Sequence, residues 1–177
     1  MTIKDFKETI IESKVIHEGK IISLSVDKVS LPNGKEAIRE VVHHNGGVTI
    51  IALPDEHSIV LVKQYRYPIG KATWELPAGR LNVNEDPVLG AKRELKEETG
   101  FIPKRMDSLG IVYPAPGYSN EVLYFFKATD LIDDEAEPDQ DENLEVKVFN
   151  IKEAWQMIKD GDMRDAKSIA GISLAIH

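Results

Sequence analysis

The stretch from Gly79 to Phe101 constrains the fold and function of this chain more than any other. Its middle predicts a helix, because Asp86 is a favourable N-cap and Pro87 suits the first helical position. Gly100 suits the left-handed residue that follows a last helical turn. Within this helix, apolar residues at helical spacing are expected to face a core, namely Val88, Ala91 and Leu95. The stretch therefore predicts a loop, a helix and a helix stop.

A row of carboxylates marks one face of the predicted helix. Glu94, Glu97 and Glu98 stand at i, i+3 and i+4, so their side chains share that face. Like-charge pairs on an exposed helix cost only about 0.2–0.5 kcal/mol each, and Arg93 can pair with Glu97, so a solvated acidic face is one interpretation. The other is a site for a hard divalent cation. Carboxylate oxygens suit Mg²⁺ or Mn²⁺, and the face has no cysteine or histidine to favour zinc.

The spacing of the whole stretch resembles the Nudix box, G-x5-E-x7-R-E-U-x-E-E-x-G-U, where U is a bulky apolar residue. All of its fixed positions are filled as the pattern requires, by Gly79, Glu85, Arg93, Glu94, Leu95, Glu97, Glu98, Gly100 and Phe101. A match at every fixed position of so long a pattern is highly specific, and on it the chain is identified as a member of the Nudix hydrolases. The resemblance implies a loop–helix–loop that holds Mg²⁺ or Mn²⁺ beside a diphosphate.

Composition narrows the class of protein. A chain of 177 residues, 42% of them hydrophobic, predicts one domain with a sizeable core. The absence of cysteine excludes disulfides and thiol chemistry, and it fits a reducing compartment. The charged N-terminus lacks a signal-peptide core, and no apolar run approaches membrane-spanning length, so we expect a cytoplasmic protein without a membrane partner. A net charge of −8 argues against nucleic-acid binding, whereas small anionic substrates stay possible beside a metal and a few arginines.

Apolar alternation and turn residues predict the remaining elements. Asn33-Gly34 predicts a type I′ hairpin, and the strands around Pro54 to His57 predict a second hairpin, central in the sheet. Strands are predicted over residues 20–29, 36–43, 48–53, 58–64, 73–76, 106–113, 121–128 and 144–150. The acidic segment 130–143 is expected to lack regular structure. Two closing helices are predicted over residues 152–160 and 165–176, with core candidates Trp155, Ile158, Ile169, Ile172 and Ile176.

These elements predict an α+β fold, an α/β/α sandwich with a mixed β-sheet between helices and a small N-terminal β unit. The Nudix resemblance implies the same three-layer fold. We divide the chain into an N-terminal β extension over residues 1–45, expected to form a dimer, and a Nudix hydrolase domain over residues 46–177.

Four features outside the box resemble the ADP-ribose pyrophosphatase branch of the family. They are Arg39-Glu40, Gln64-Tyr65-Arg66, the lead-in Glu75-Leu76-Pro77-Ala78-Gly79, and Pro116 followed by Ser119-Asn120-Glu121. Relatives that cleave other nucleoside diphosphate sugars share much of this pattern. The resemblance runs from about residue 18 to residue 175. It implies a homodimer in which N-terminal strands reach across a two-fold axis and complete the partner's substrate site.

The resemblance also implies roles for individual residues. Metal ligands would be Glu94, Glu98 and the carbonyl of Ala78, with Glu97 as a further ligand or as an organiser held by Arg93. Glu85 is expected to brace the loop through Arg93 rather than contact metal.

The general base and the substrate contacts are assigned in the same way. Glu142, in the sequence Glu142-Asn143-Leu144-Glu145-Val146, is nominated as the base. The alternative is that this acidic run is a solvated loop. Phosphate or nucleotide contacts are expected from Arg39 and Arg66, whose planar guanidinium suits phosphate. Hydrogen bonds to base or sugar hydroxyls are expected from Glu40 and Glu121. We interpret His43, His44 and Trp74 as structural.

The leading interpretation is metal-assisted attack of water on the diphosphate of a nucleotide sugar. ADP-ribose is the first candidate, and it would give AMP and ribose 5-phosphate. One alternative is another nucleotide sugar, such as GDP-mannose or ADP-glucose. A second is a nucleoside triphosphate or a dinucleoside polyphosphate, and a third is a non-catalytic nucleotide sensor. The complete set of box glutamates argues against the sensor.

Overall fold

The computed structural model describes residues 6–136 and 143–175. The chain divides into two compact units, Met1–Asn45 with Ala115–Val122, and Gly46–Pro114 with Leu123–His177. Among the described residues, no helix combines the length and the hydropathy that crossing a membrane requires.

The first unit is built on a three-stranded antiparallel sheet of β1 (Thr9–Glu18), β2 (Ser23–Ser30) and β3 (Glu36–His43), in that order. The sequence predicts β2 and β3 but not β1. All ten residues of β1 are exposed, and its pairing with β2 shifts register twice. A strand that buries neither face and slips register carries no period-two alternation, so its signal is missing from the sequence.

The turn between β2 and β3 differs from the predicted type I′ turn. That type needs positive φ at both central residues, but among the described non-glycine residues only Asn84 and Asp130 have positive φ. Instead, Gly34 N–H donates to the Leu31 carbonyl at 2.9 Å, and only Gly34 is left-handed, with φ of 78°. Pro32 explains the difference, because its fixed φ suits the first central position of an ordinary turn.

The second unit contains the remaining strands and three helices. The strands are β4 (Gly47–Ala52), β5 (Ser58–Arg66), β6 (Lys71–Glu75), β7 (Ala78–Arg80), β8 (Phe101–Val112), β9 (Leu123–Asp133) and β10 (Glu145–Asn150). The helices are α1 (Pro87–Thr99), α2 (Ile151–Asp160) and α3 (Ala166–Ala175). One sheet has the order β7-β4-β9-β8, with β4 and β9 parallel and the other pairs antiparallel. The other sheet has the order β10-β5-β6.

The core lies on both faces of the first of these sheets. Strand β4 is buried along its whole length. Val48 and Ile50 pack with Ala91 and Leu95 of α1 on one face. Ile51 packs on the other face in a cluster that includes Ile172 of α3. A mixed sheet between helices is thus confirmed.

The predicted central hairpin of β4 and β5 is wrong, because the two strands belong to different sheets. Both edges of β4 are already paired, with β7 and β9, so β5 pairs instead with β6 and β10. Adjacent apolar strands reveal that each is buried, but not which neighbour each one takes.

Pairing also corrects the expectation of an irregular acidic segment. Residues 130–133 belong to β9, where Asp133 lies opposite Phe101 of β8. Residues 137–142 lie outside the described residues. Of the predicted core candidates, Ile172 is fully buried, Trp155 and Ile158 pack partly buried against its cluster, and Ile169 is half-buried. Ile176 lies outside the described residues.

Candidate active site

Helix α1 begins and ends as its sequence predicts. The Asp86 carboxylate accepts hydrogen bonds from the main-chain N–H groups of Val88 at 2.9 Å and Leu89 at 3.2 Å. Gly100 has φ of 74° and donates to the Lys96 carbonyl at 2.8 Å. These local bonds satisfy main-chain groups at both ends, so the helix position is fixed without reference to a ligand.

Two faces of α1 have different neighbours. Ala91 and Leu95 are fully buried, as predicted, but Val88 is 36% exposed, so its assignment to the core is wrong. Val88 lies in the first turn, next to the cap. Gly90 is buried, and a Cβ there would lie 2.6 Å from the Leu81 side chain and 3.3 Å from the Glu85 carboxylate. Gly90 therefore lets the preceding loop lie directly on the helix.

Arg93 joins three of the box carboxylates. It forms a two-pronged ion pair with Glu85, with Nε–Oε1 and Nη2–Oε2 distances of 2.9 Å. Its Nη1 donates to Glu94 at 2.9 Å and to Glu97 at 2.8 Å. Glu85 also accepts from the Asn82 main-chain N–H at 2.8 Å. The arginine therefore ties the loop before α1 to the carboxylate face of the helix.

The charges of this cluster stabilise one another. The hydrogen bond from Arg93 lowers the pKa of Glu85 to about 2, against the smaller opposing effect of burial, and Asn82 lowers it further. The hydrogen bond to Glu85 raises the pKa of Arg93, and Glu94 and Glu97 add to that effect. Both partners are therefore charged at neutral pH. One guanidinium faces three carboxylates, so the cluster carries an excess of negative charge.

Two further carboxylate contacts connect α1 with strand β7. The Glu98 side chain is buried, with the residue 3% exposed, and its Oε2 accepts from the Ala78 main-chain N–H at 3.1 Å. The Glu94 carboxylate lies over Gly79, where an added Cβ would be 2.0 Å from the carboxyl carbon. Only glycine at residue 79 leaves room for that carboxylate. Glu94 and Glu98 therefore meet consecutive residues of β7.

The main-chain groups of Ala78 face away from the sheet. Strand β7 is an edge strand, and Ala78 lies opposite Thr49 of β4, beside the Ile50–Pro77 hydrogen bond of 2.8 Å. Hydrogen-bonded and non-bonded pairs alternate in an antiparallel ladder, so the N–H and carbonyl of Ala78 point away from β4. The N–H is taken by Glu98, and the carbonyl lies on the open edge.

These oxygen atoms are of the type that binds a hard divalent cation. Carboxylates and a main-chain carbonyl are the oxygen ligands that Mg²⁺ and Mn²⁺ take, and the local excess of negative charge favours a cation. Within residues 6–136 and 143–175, however, no group of three or more histidines or acids is gathered closely enough to hold an ion. Glu94 and Glu97 both accept from Arg93 Nη1, so each would have to share or leave the arginine to join Glu98 around an ion.

A second charged network lies at the ends of β5 and β6. Arg66 donates from Nε and Nη2 to the two oxygens of Glu75, at 3.0 Å and 2.7 Å. Glu75 also accepts from Thr73 and Lys167. Arg66 is a predicted site residue, whereas nothing in the sequence points to Lys167. Lys167 lies 92 residues after Glu75, so only the fold reveals the pair.

Burial alone raises the pKa of Glu75. The hydrogen bond from Arg66, the charge and hydrogen bond of Lys167, and the Thr73 hydroxyl outweigh that effect and lower the pKa to about 2. Glu75 is therefore a buried anion at neutral pH.

Other predicted substrate residues belong to the first unit. The Arg39 guanidinium is bound to Glu8, at 2.9 Å from Nε and 2.7 Å from Nη2, and its Nη1 donates to the Ile38 carbonyl. Glu40 is exposed on β3. Glu121 lies 3.5 Å from His44 Nδ1.

His43 lies 2.9 Å from the Ser25 hydroxyl. Trp74 packs edge-on against Phe149, with ring centroids 4.9 Å apart. Glu142, the nominated base, lies outside the described residues.

Comparison with known proteins gives matches over almost the whole chain. The model of the NUDIX domain matches residues 43–171, and that of the nucleoside diphosphate sugar hydrolase N-terminal domain matches residues 8–42. An ADP-ribose pyrophosphatase from Bacillus subtilis is 37% identical, with 96% of this chain and 93% of the relative covered. A methanol dehydrogenase activator from Bacillus methanolicus is 39% identical, with 96% and 92% covered.

A solved structure, described as an ADP compounds hydrolase, has the same fold. Its TM-score is 0.86, with 22% sequence identity, and the match covers 97% of this chain and 94% of the other. At that identity the likeness speaks for the fold alone.

Proposed function

Because this chain belongs to the Nudix hydrolase family, we propose that it hydrolyses the diphosphate bond of nucleoside diphosphate sugars, with ADP-ribose as the leading substrate. The products would then be AMP and ribose 5-phosphate. The relative named ADP-ribose pyrophosphatase and the match to the nucleoside diphosphate sugar hydrolase N-terminal domain support this substrate class. We infer that the cofactor is Mg²⁺, with Mn²⁺ as a substitute.

The observation that carries the proposal is the position of Glu98. The residue is 3% exposed, and its carboxylate accepts a hydrogen bond from the Ala78 main-chain N–H at 3.1 Å. Glu98 lies beside Ala78, whose carbonyl is on the open edge of the sheet, and one helical turn from Glu94. In our proposal these three groups hold the metal, and Glu97 joins them when it leaves Arg93.

A bound divalent ion would neutralise diphosphate oxygens and favour deprotonation of the attacking water. The protein's own groups would have separate tasks. Glu85 and Arg93 hold the loop against the helix, so that Glu94 and Glu98 are fixed before substrate arrives. Arg93 also binds Glu97, the carboxylate that would move to the metal. A charge that is already in place, such as that of buried Glu98, costs no reorganisation during the reaction.

We propose that Arg66 binds an anionic oxygen of the diphosphate. Its side chain is 39% exposed, although one edge of the guanidinium is bound to Glu75. Arg39 is a weaker candidate in the isolated chain, because Glu8 and a main-chain carbonyl engage all three of its nitrogens. Substrate contacts by Arg39, Glu40 and Glu121 stay proposals from the sequence resemblance.

We propose Glu142 as the general base that takes the proton from water. The test is Glu142→Gln, which removes the basic oxygen and keeps the size of the side chain. A fall in kcat of at least about tenfold is expected if this group accepts the proton. A smaller effect would favour a box glutamate as the base.

The substrate is tested with a panel of ADP-ribose, ADP-glucose, GDP-mannose, NADH, ATP and a dinucleoside polyphosphate, each with Mg²⁺, with Mn²⁺ and with EDTA. Products are separated by anion exchange. We expect the highest kcat/KM for ADP-ribose and no turnover in EDTA. A higher kcat/KM for GDP-mannose or ADP-glucose would make that nucleotide sugar the preferred substrate and leave the substrate class unchanged. Preference for ATP or a dinucleoside polyphosphate would reject the class, and tight ADP-ribose binding without products would indicate a sensor.

We propose that the protein is a cytoplasmic homodimer formed through residues 1–45. The support is strand β1, an edge strand in which Ile10, Ile11, Val15 and Ile16 are each more than half exposed. An apolar edge strand is a template for pairing with another chain, and covering it removes the cost of exposure. Sedimentation equilibrium should give twice the chain mass of 19.8 kDa, and a monomer at micromolar concentration would reject the proposal.

A further inference from the structure

Glu75 is a buried carboxylate whose hydrogen-bonding positions are all taken. Its side chain is 2% exposed. Oε1 accepts from Arg66 Nε and from the Thr73 hydroxyl, and Oε2 accepts from Arg66 Nη2 and from the Lys167 ammonium. A carboxylate accepts about four hydrogen bonds, so none is left for a substrate or an ion. The effect of Glu75 is therefore on the groups that it holds.

Arg66 is held along one edge and open along the other. Nε and Nη2 are bound to Glu75, whereas Nη1 makes no hydrogen bond to residues 6–136 or 143–175. The guanidinium is planar, so fixing one edge also fixes the direction of the donors on the other. The side chain is 39% exposed, which leaves that second edge able to receive an anionic oxygen.

Lys167 is the second cation on Glu75, and the start of α3 holds it in place. Its Nζ also donates to Asp165 Oδ2 at 2.8 Å. The same oxygen accepts from the main-chain N–H of Ser168 at 3.0 Å and from its hydroxyl at 2.5 Å. The Ser168 hydroxyl accepts in turn from the Leu76 N–H at 2.8 Å. The first turn of α3 thus holds two consecutive residues, Glu75 and Leu76.

We propose that Lys167 is a positioning residue: through Glu75 it fixes the Arg66 guanidinium in the orientation that receives a diphosphate oxygen. This inference rests on the proposed function. Without the ammonium, one oxygen of Glu75 loses its second charged partner, and the carboxylate and Arg66 gain alternative orientations. Ordering them again would then oppose each binding event. The loss falls on substrate and transition state alike, so it raises KM more than it lowers kcat.

A purely structural role for Lys167 makes a different prediction. If the lysine only joins α3 to the sheet, its removal lowers the unfolding temperature and leaves the KM of the folded enzyme unchanged. The KM therefore separates the two roles.

The kinetic test compares Lys167→Gln with Lys167→Arg in the full chain. Lys159→Gln is the matched control, because Lys159 is exposed on α2. With ADP-ribose and saturating Mg²⁺ we expect Lys167→Gln to raise KM about tenfold with kcat within about threefold, since uniform binding is lost. Lys167→Arg keeps the charge and should stay within about threefold of wild type. An unchanged KM in Lys167→Gln, or an equal rise in Lys159→Gln, would overturn the proposal.

Coupling to Arg66 is tested with a double variant. Arg66→Lys alone should raise KM, and adding Lys167→Gln to it should have little further effect, because Lys167 acts through the group already removed. Additive effects of the two substitutions would overturn the proposal.

A readout without substrate separates this inference from the proposed function. The Nε–H group of Arg66 is assigned in a ¹⁵N–¹H correlation spectrum by its disappearance in Arg66→Lys. We expect its signal to shift or broaden in Lys167→Gln and to recover in Lys167→Arg. A signal unchanged by Lys167→Gln overturns the inference whatever the substrate. A wild-type enzyme inactive on the whole panel rejects the proposed function, and this spectrum then decides whether Lys167 orders Arg66.

Discussion

The acid sensitivity of the fold should depend on Glu75. Its pKa is about 2 in the folded chain, against an ordinary value of 4.5, because its hydrogen bonds outweigh burial. At a pH between these values the unfolded chain binds a proton that the folded chain does not, so acid favours unfolding. The stabilisation is complete above about pH 5 and is lost as the pH falls through 4.5 toward 2.

The size of the effect follows from the two pKa values. Their separation corresponds to about 3 kcal/mol of unfolding free energy, of which about 2 kcal/mol is lost between pH 6 and pH 3. Glu75→Gln keeps the volume of the side chain but cannot titrate. It should be less stable than wild type by about 3 kcal/mol at pH 6, because Arg66 and Lys167 lose their shared counter-charge. The gap between the two proteins should narrow by about 2 kcal/mol at pH 3.

The assay is urea unfolding at several pH values from 6 to 3, followed by tryptophan fluorescence. Glu85 also has a pKa of about 2, but it is present in both proteins and cancels in their difference. Glu56→Gln, at an exposed residue, is the control, and it should follow wild type. Parallel losses of stability in wild type and Glu75→Gln would refute the reasoning.

Three further substitutions test the site and its support. Gly79→Ala places a Cβ 2.0 Å from the Glu94 carboxyl carbon, so the carboxylate must move by about 1 Å or more; kcat/KM should fall about a hundredfold with little change in unfolding temperature. A fully active Gly79→Ala variant would show that catalysis does not require the Glu94 carboxylate in its observed position. Arg93→Lys cannot bridge Glu85 and the helix carboxylates, and we expect kcat to fall about a hundredfold, whereas wild-type turnover would contradict this bracing role. Thr49→Val removes a buried hydroxyl without a partner among the described residues, so urea unfolding should show a gain of about 1 kcal/mol, and a loss would reveal a missed partner.

Local sequence signals correctly predict the features that depend only on residues close together in the chain. Helix α1 has the predicted cap at Asp86 and the predicted stop at Gly100, because both depend on neighbouring main-chain groups. Strand β3 has its predicted bounds, Glu36–His43. The prediction that Val88 is buried is wrong, because periodicity identifies a helix face but not how far along the helix other elements cover that face.

Pairing choices could not be obtained in the same way. Strand β1 has no alternation to detect, and the placing of β4 and β5 in separate sheets depends on which edges are already occupied. The Asn33-Gly34 pair alone predicts a type I′ turn, but Pro32 takes the first central position and favours an ordinary turn. Lys167 illustrates the limit for the site, because its partner Glu75 is distant in sequence and neither residue alone predicts the contact.

The residues of the candidate site are easier to predict from the sequence than the residues that hold them in position. The box spacing selects the carboxylates, and the structure adds that Glu85, Glu94 and Glu97 converge on Arg93 and that Glu98 is buried beside Ala78. Metal ligation and the identity of the base stay predictions.

Turnover of ADP-ribose by Glu98→Gln at saturating Mg²⁺ tests the central claim most directly. Glutamine keeps a side-chain oxygen that can accept the Ala78 N–H, so the fold should survive, which circular dichroism checks. Removing the charge of a metal ligand should lower kcat by at least about a thousandfold. A folded Glu98→Gln protein that turns over ADP-ribose within about tenfold of the wild-type rate would contradict the account.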